Sequence, residues 1–109
     1  DEEVVQQAQE VMNRMRSKLG EKVYLNAMHY FGREFWHSSI IYFEAVVNDY
    51  GDTEWAPKAI VGMIDAYRKV GFDQEVEQWR QTLLNSYPDS PEAKALMDGP
   101  APDTSAVRR

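Results

Sequence analysis

Two histidines and two serines are the residues of this chain best suited by type to metal binding or nucleophilic catalysis. His29 and His37 lie eight residues apart, whereas a zinc-binding pair on one helix prefers a spacing of about four. Ser38 and Ser39 follow His37 directly, but adjacency in sequence does not create the geometry of a nucleophile and its base. We therefore predict neither a metal site nor a catalytic serine.

The 18 carboxylates could also do chemistry, since general acid–base catalysis needs two of them in one desolvated pocket. They fall instead on the polar faces of predicted helices, as at Glu2, Glu75 and Glu92. The chain has no Cys, which removes thiolate chemistry and disulfides, and it has no glycine-rich phosphate loop. The sequence therefore predicts a protein that is not an enzyme and needs no cofactor.

Composition limits the classes of partner. The 109 residues carry a net charge of −6, and 43% of them are apolar, which is enough for the core of one small domain. Proteins that bind nucleic acid usually show a basic patch, and this acidic chain shows none. No apolar run approaches the roughly 20 residues that a membrane-spanning helix needs. An acidic domain could meet a basic protein surface, but charge alone names no partner.

The first element that must position any site is a long helix. Apolar residues recur every three or four positions, which is the helical period, at Val4, Ala8, Val11, Met12, Met15, Leu19, Val23, Ala27, Tyr30 and Phe31. We predict one helix over residues 2–33, with two helices broken near Gly20 as the alternative. We expect part of the stripe from Val4 to Leu19 to cover the second helix and the rest to meet another repeat or another protein.

Four shorter helices are predicted over residues 37–49, 54–70, 74–87 and 91–97. Thr53, Asp73 and Ser90 suit N-cap positions, and Gly71 suits a helix end. With no strand pattern, the predicted fold is all-α, built from helical hairpins in one domain over residues 1–98. Residues 99–109 are small and polar with two prolines, and we predict a disordered tail there.

A near-repeat organises these helices. Tyr50-Gly51-Asp52-Thr53 recurs 37 residues later as Tyr87-Pro88-Asp89-Ser90, and each copy ends an apolar run and opens a new helix. Superposing the two units places Tyr30 over Tyr67 and Phe35 over Phe72. This pattern resembles the tetratricopeptide repeat, a helix-turn-helix unit of about 34 residues. Such repeats stack into an α-solenoid and bury their apolar faces only against their neighbours.

A closer resemblance extends over roughly residues 10 to 90. It is carried by Tyr30-Phe31, by Val46-Val47-Asn48-Asp49-Tyr50 with Asp52-Thr53, and by Met63 with Ala66-Tyr67-Arg68. These residues resemble the C-terminal part of the BamD family, tetratricopeptide lipoproteins of the outer-membrane β-barrel assembly (BAM) machinery. The resemblance implies a periplasmic protein at the outer membrane, held by a lipid outside this chain. It also implies docking on a POTRA domain of BamA, beside other BAM lipoproteins.

The partner-binding residues are predicted around the first junction and on the helix that follows it. In the family, a basic residue early in that helix helps to hold BamA, and Lys58 is the nearest basic residue here. Groove-facing positions of the repeat add further members. The predicted set is Asp52, Glu54, Trp55, Lys58, Val61, Asp65 and Arg68. For the apolar members, packing against other parts of the protein is the alternative.

The sequence leaves two other functions open. One is a different tetratricopeptide adaptor that binds a peptide or partner protein, and the other is a helical accessory domain of a larger enzyme. Asp1 opens the chain without Met and inside a predicted helix, so we expect a fragment or a processed product, and the absence of a targeting signal or lipid anchor from it is uninformative. The leading hypothesis is a non-catalytic scaffold of the BAM machinery.

Overall fold

The computed structural model describes residues 1–98, which form five α-helices joined by short turns. The helices are α1 (Glu2–Gly32), α2 (Trp36–Asp49), α3 (Trp55–Val70), α4 (Asp73–Ser86) and α5 (Pro91–Asp98). The predicted all-α fold of helical hairpins with a long first helix is confirmed. Among these five helices of residues 1–98, α3 contacts each of the other four, and α1 contacts only α2 and α3. The predicted tail over residues 99–109 lies outside the described residues.

Helix α1 continues unbroken through Gly20, so the alternative of two helices is wrong. Gly20 is buried, and a Cβ added there would lie 3.2 Å from both Thr53 Oγ1 and Tyr50 Cβ. The glycine therefore lets α1 approach the first junction closely, and it does not mark a helix end.

The apolar stripe of α1 divides into two faces. Val23, Tyr24, Ala27 and Phe31 pack against the core, whereas Val4, Val5, Val11, Met12, Met15 and Leu19 are all exposed in the part of the chain that the structure describes. Every residue from Asp1 to Met15 is exposed, whichever face of the helix it lies on, so this part of α1 extends past the other helices of residues 1–98. Our expectation that part of Val4–Leu19 covers α2 is wrong for this reason.

The two hairpin turns share one backbone geometry. The N–H of Phe35 donates to the carbonyl oxygen of Tyr30, and 37 residues later the N–H of Phe72 donates to that of Tyr67, both at 2.9 Å. Both turns place one residue in the left-handed region, Glu34 at φ 64° and Gly71 at φ 80°. Phe72 occupies the N-cap position of α4 without a capping side chain. The prediction of Asp73 as N-cap is therefore wrong, because Asp73 is already the first residue of α4.

The two junctions also repeat one hydrogen-bond pattern. The hydroxyl of Thr53 donates to the carbonyl oxygen of Tyr50 at 2.7 Å, and that of Ser90 donates to Tyr87 at 2.8 Å. Each hydroxyl oxygen also accepts a backbone N–H at the start of the next helix. In addition, the Tyr87 hydroxyl donates to the carbonyl oxygen of Gly51 at 2.8 Å. The second junction is thus bonded directly to the first.

Phe43 lies at the centre of the core. Its side chain is fully buried, with ring centroids 5.7 Å from Tyr24 and 6.4 Å from Phe31. Gly62 of α3 receives the ring, because a Cβ at that position would overlap the Phe43 ring atoms. Helices α1, α2 and α3 are therefore locked together by one aromatic side chain.

The two left-handed positions predict opposite effects of substitution. Glu34→Gly should raise the free energy of unfolding by about 0.5 to 1 kcal/mol, since glycine adopts this conformation without steric penalty. Gly71→Ala should lower it by about 1 kcal/mol. Urea denaturation checks both values. Equal effects of the same sign would contradict the assignment of the two turns as equivalent.

Candidate partner-binding surface

Asp52 lies at the first junction and is paired with α1. Arg16 donates from Nη2 to Asp52 Oδ1 at 2.6 Å and from Nε to Oδ2 at 2.9 Å. The same Nη2 donates to the carbonyl oxygen of Asp49 at 2.7 Å. The Arg16 guanidinium holds the pKa of the Asp52 carboxyl below its usual value. Although exposed, this carboxylate is fixed in position by a two-pronged ion pair.

Glu54 is held from the same helix. Ser17, next to Arg16, donates from its hydroxyl to Glu54 Oε2 at 3.0 Å. Because Asp52 and Glu54 both bond to α1, the first junction is anchored over its whole length. Glu54 belongs to none of the ion pairs of residues 1–98, although its charge is one of the smaller causes that raise the pKa of Lys58.

Trp55 is partly buried and packs against the core. Its ring centroid lies 5.3 Å from that of Tyr24, and Lys58 Nζ lies 5.9 Å from it. The indole N–H is buried and finds no acceptor within residues 1–98. Trp55 thus joins α1 to α3, and only part of its ring is open to a partner.

Lys58 is paired with α5. Its Nζ donates to Glu92 Oε2 at 2.9 Å, and the side chain of Glu92 is only 16% exposed. This hydrogen bond raises the pKa of Lys58 above its usual value. Lys58 therefore stays charged, and 38% of its side chain is open to solvent for a second contact.

The two junctions enclose a concave surface, which we name the junction groove. Its volume is about 420 Å³, and it is lined by Gly51, Asp52, Thr53, Glu54, Pro57, Lys58, Tyr87, Ser90, Pro91 and Glu92. Two prolines and a tyrosine give it apolar walls, while carboxylates and one lysine form its edges. It brings together three of the predicted site residues, Asp52, Glu54 and Lys58.

A second concave surface, the α3–α5 groove, holds three more predicted residues. It has a volume of about 320 Å³ and is lined by Val61, Ile64, Asp65, Arg68, Leu83, Glu92, Ala95 and Leu96. Asp65 Oδ1 lies 3.7 Å from Arg68 Nη1. Burial nevertheless raises the pKa of Asp65 above its usual value.

Sequence reasoning missed Arg16, Tyr87 and Glu92 as residues that shape this surface. Arg16 and Asp52 are 36 residues apart, and no local spacing signals their pairing. Tyr87 could have been recognised from the sequence, because it occupies the same place in the second junction as Tyr50 does in the first. Glu92 was predicted only as a favourable charge at the start of α5, while the structure places it against Lys58.

The Arg16–Asp52 pair predicts a pH dependence of stability. Because the folded-state pKa of Asp52 is lowered from 3.8, the pair contributes fully above that value and its contribution is lost as the pH falls through the folded-state pKa. The melting temperatures of the parent and Asp52→Asn should differ by a constant amount between pH 7 and pH 5. The difference should shrink below about pH 4. A gap that persists to pH 2 would contradict this.

Comparison with known proteins gives a match to one family of proteins over most of the helical part of the chain. A family model, YfiO, described as an outer membrane lipoprotein, matches residues 2–83, which include α1 to α3, the first junction and most of α4. No curated protein and no solved structure gives a significant match. Within residues 1–98, none of the five helices has the length and apolar character needed to cross a membrane. The match spans most of the chain, and the protein therefore belongs to the YfiO family of BamD-like outer membrane lipoproteins.

Proposed function

We propose that this chain is a non-catalytic scaffold of the BAM type that docks on a POTRA domain of BamA. Residues 1–98 act as one repeat domain in this proposal. The observation that carries it is the junction groove. Its first junction lies within the stretch matched by the family model, and its second junction follows directly after that stretch. The groove is concave and apolar, and its edge charges are fixed by internal bonds. Such a surface suits recognition of a folded partner with little rearrangement.

The mechanism is the positioning of a partner by a rigid stack. Tyr87 bonds the second junction to the first, and Arg16 bonds the first junction to α1. Helices that cannot shift relative to one another keep a bound domain at a fixed distance from the membrane. In this proposal the anchor is a lipid outside the chain, at the periplasmic face of the outer membrane. Other BAM lipoproteins are further partners.

A second docking surface is proposed on the first half of α1. Six large apolar residues lie exposed there, and Met12 and Met15 are 55% and 58% exposed. At 100° per residue, Met15 points about 120° away from the core-facing Ala27. This face is therefore separate from the one that packs on α2 and α3, and a group of exposed apolar side chains is a common mark of an interaction surface. We propose that it receives another helical repeat or a partner protein.

Binding to the POTRA domains of BamA tests the first proposal. Lys58→Glu should weaken binding about tenfold or more, since it reverses a charge at the groove edge and breaks the pair with Glu92. Trp55→Ala should also weaken it, through loss of the open part of the indole ring beside Lys58, and the melting temperature shows how much of the loss comes from the buried part. Isothermal titration calorimetry with purified POTRA domains from the same organism measures both. If both variants bind as the parent does, the site assignment is wrong.

A charge swap separates recognition from folding. In the double variant Lys58→Glu with Glu92→Lys, the internal ion pair is re-formed with opposite polarity. Direct recognition of Lys58 predicts that binding stays weak in the swapped variant while the melting temperature recovers. Full recovery of binding would show that Lys58 acts only by holding α5 in place. Lys94→Glu, an exposed change on the same helix as Glu92, is the matched control.

If the exposed apolar residues in the first half of α1 form a docking surface, replacing them should weaken binding of a partner and leave the stability of this chain nearly unchanged. Met12→Glu with Met15→Glu should change the free energy of unfolding of this chain by no more than about 1 kcal/mol, since each exposed substitution alters stability by roughly 0.5 kcal/mol or less. Phe43→Ala should instead cost about 3 to 5 kcal/mol. The charged double variant should also bind less of the hydrophobic dye ANS. A large loss of stability in that variant would show that the face is already covered.

A further inference from the structure

The first half of α1 projects beyond the other helices. Residues 1–15 are all exposed, and the contacts of α1 with the first junction begin at Arg16 and Ser17. At 1.5 Å per residue, the projecting stretch is about 22 Å long. A helix in water gains most of its stability by packing an apolar face, and no other helix of residues 1–98 covers this one. An occupant would therefore stabilise it.

One face of the projecting stretch has the spacing of a coiled coil. Steps of three and four residues separate Val5, Ala8, Met12, Met15 and Leu19, which is the heptad pattern of a helix that pairs with another helix. At 100° per residue the five lie within about 80° of one another, and the exposed fractions of the four larger side chains run from 47% to 63%. We name this face the α1 seam. Its narrow, straight form favours a second helix as the occupant.

Charge is divided along the same stretch of α1. Residues 1–13 contain no lysine or arginine and four carboxylates, Asp1, Glu2, Glu3 and Glu10. Residues 14–22 contain only one carboxylate, Glu21, and four cations, Arg14, Arg16, Lys18 and Lys22. Among the ion pairs of residues 1–98, Arg16 is the only member of these two sets that takes part. Most of the charge on this stretch is therefore uncompensated within the described residues.

The helix dipole explains only the acidic end of this pattern. Carboxylates stabilise the first turn of a helix, and cations stabilise the last turn. Arg14, Lys18 and Lys22 lie in the middle of a helix of 31 residues and follow one another at a spacing of four, where like charges repel. The basic stretch would therefore be stabilised by carboxylates brought beside it.

We infer that the α1 seam pairs with the α1 seam of a second copy of this chain, in the antiparallel orientation. Antiparallel pairing brings the acidic stretch of each copy beside the basic stretch of the other. Parallel pairing would place carboxylates beside carboxylates and cations beside cations. A second copy therefore supplies both the apolar seam and the complementary charge. The inference rests on the docking surface proposed for α1 and names what occupies it.

One register of the two helices aligns both the seams and the charges. Val5 of each copy faces Met15 of the other, and Ala8 faces Met12, which gives four layers of apolar side chains. The same register brings residues 1–6 alongside the basic stretch of the other copy. Four layers make a short interface, so we expect a reversible dimer with a dissociation constant of about 10 to 100 µM.

Analytical ultracentrifugation of the full chain tests the association. Between about 5 and about 500 µM, the weight-average mass should rise from that of one chain towards that of two. Met12→Glu with Met15→Glu places charge in the seam and should keep the mass at that of one chain over the same range. A double variant that associates as the parent does would overturn the inference. A parent that stays monomeric would also overturn it and would leave the α1 surface to another repeat or to a partner protein.

Charge reversal tests the pairing of the acidic and basic stretches. Glu2→Lys with Glu3→Lys reverses the acidic stretch, and Arg14→Glu with Lys18→Glu reverses the basic one. Each variant alone should associate about tenfold more weakly than the parent. An equimolar mixture of the two should associate again, because the reversed residues of each chain meet opposite charges in the other. A mixture that stays monomeric would contradict the assigned pairing.

The matched control carries its charge changes away from α1. Lys69→Glu with Lys94→Glu alters the net charge by the same amount as the reversal of the basic stretch, on α3 and α5. It should associate as the parent does. Equal weakening would show that only the net charge of the chain matters.

The orientation can be read from disulfide formation, because the chain has no cysteine of its own. Val5→Cys and Met15→Cys should form a mixed disulfide when the two variants are combined under oxidising conditions. Each variant alone should form little, since equivalent residues lie about 15 Å apart along the paired helices and a disulfide needs Cα atoms within about 7 Å. Disulfides of each variant with itself, and none in the mixture, would contradict the antiparallel orientation.

These measurements are separate from the test of POTRA binding. Lys58→Glu lies in the junction groove and should leave self-association unchanged. If the parent binds the POTRA domains but stays monomeric, the pairing inference fails and the scaffold function stands. If the parent dimerises through α1 but does not bind the POTRA domains, the pairing stands and the proposed partner is wrong.

Discussion

The structure depends on the contact between Phe43 and Gly62. A fully buried ring from α2 lies directly on the backbone of α3, which is possible only because no Cβ occupies that position. Ala59 and Ala66 flank the contact on the same helix and are also fully buried. Small residues thus let α3 come close to its neighbours, and this close packing is why one helix of 16 residues can contact the other four.

Outside that contact, the tyrosines of the two junctions connect each unit to the one before it. The Tyr50 ring packs beside Gly20 and under Arg16 of α1, and the Tyr87 hydroxyl bonds to Gly51 in the preceding junction. Each junction is therefore fixed on the unit before it. A stack linked in this way transmits position along its length, which is the property that the proposed scaffold function needs.

The parts of this fold that could be predicted are those that local spacing specifies. Periodic apolar residues predicted the all-α fold with its long first helix, and the repeated Tyr-x-Asp-Thr/Ser sequence predicted that two similar units stack. The pairing of Arg16 with Asp52 could not be predicted, because 36 residues separate the two side chains. The role of Gly20 could not be predicted either. A glycine within a helix can indicate a break, whereas here it lets α1 approach a junction that is far away in sequence. Local patterns identify the helices, while long-range contacts decide which faces remain open.

The same contacts determine how the surface can bind. Asp52, Lys58 and Asp65 are each already paired with a basic or acidic side chain of this chain. Exchanging a partly exposed internal pair for an intermolecular one changes the free energy little, since each is worth about 0 to 1 kcal/mol. In the proposed docking, affinity would therefore come mainly from the apolar walls of the grooves, whereas the charges would select the partner and its orientation. Because the charges are held by internal bonds, that selection is built into the folded chain before a partner arrives.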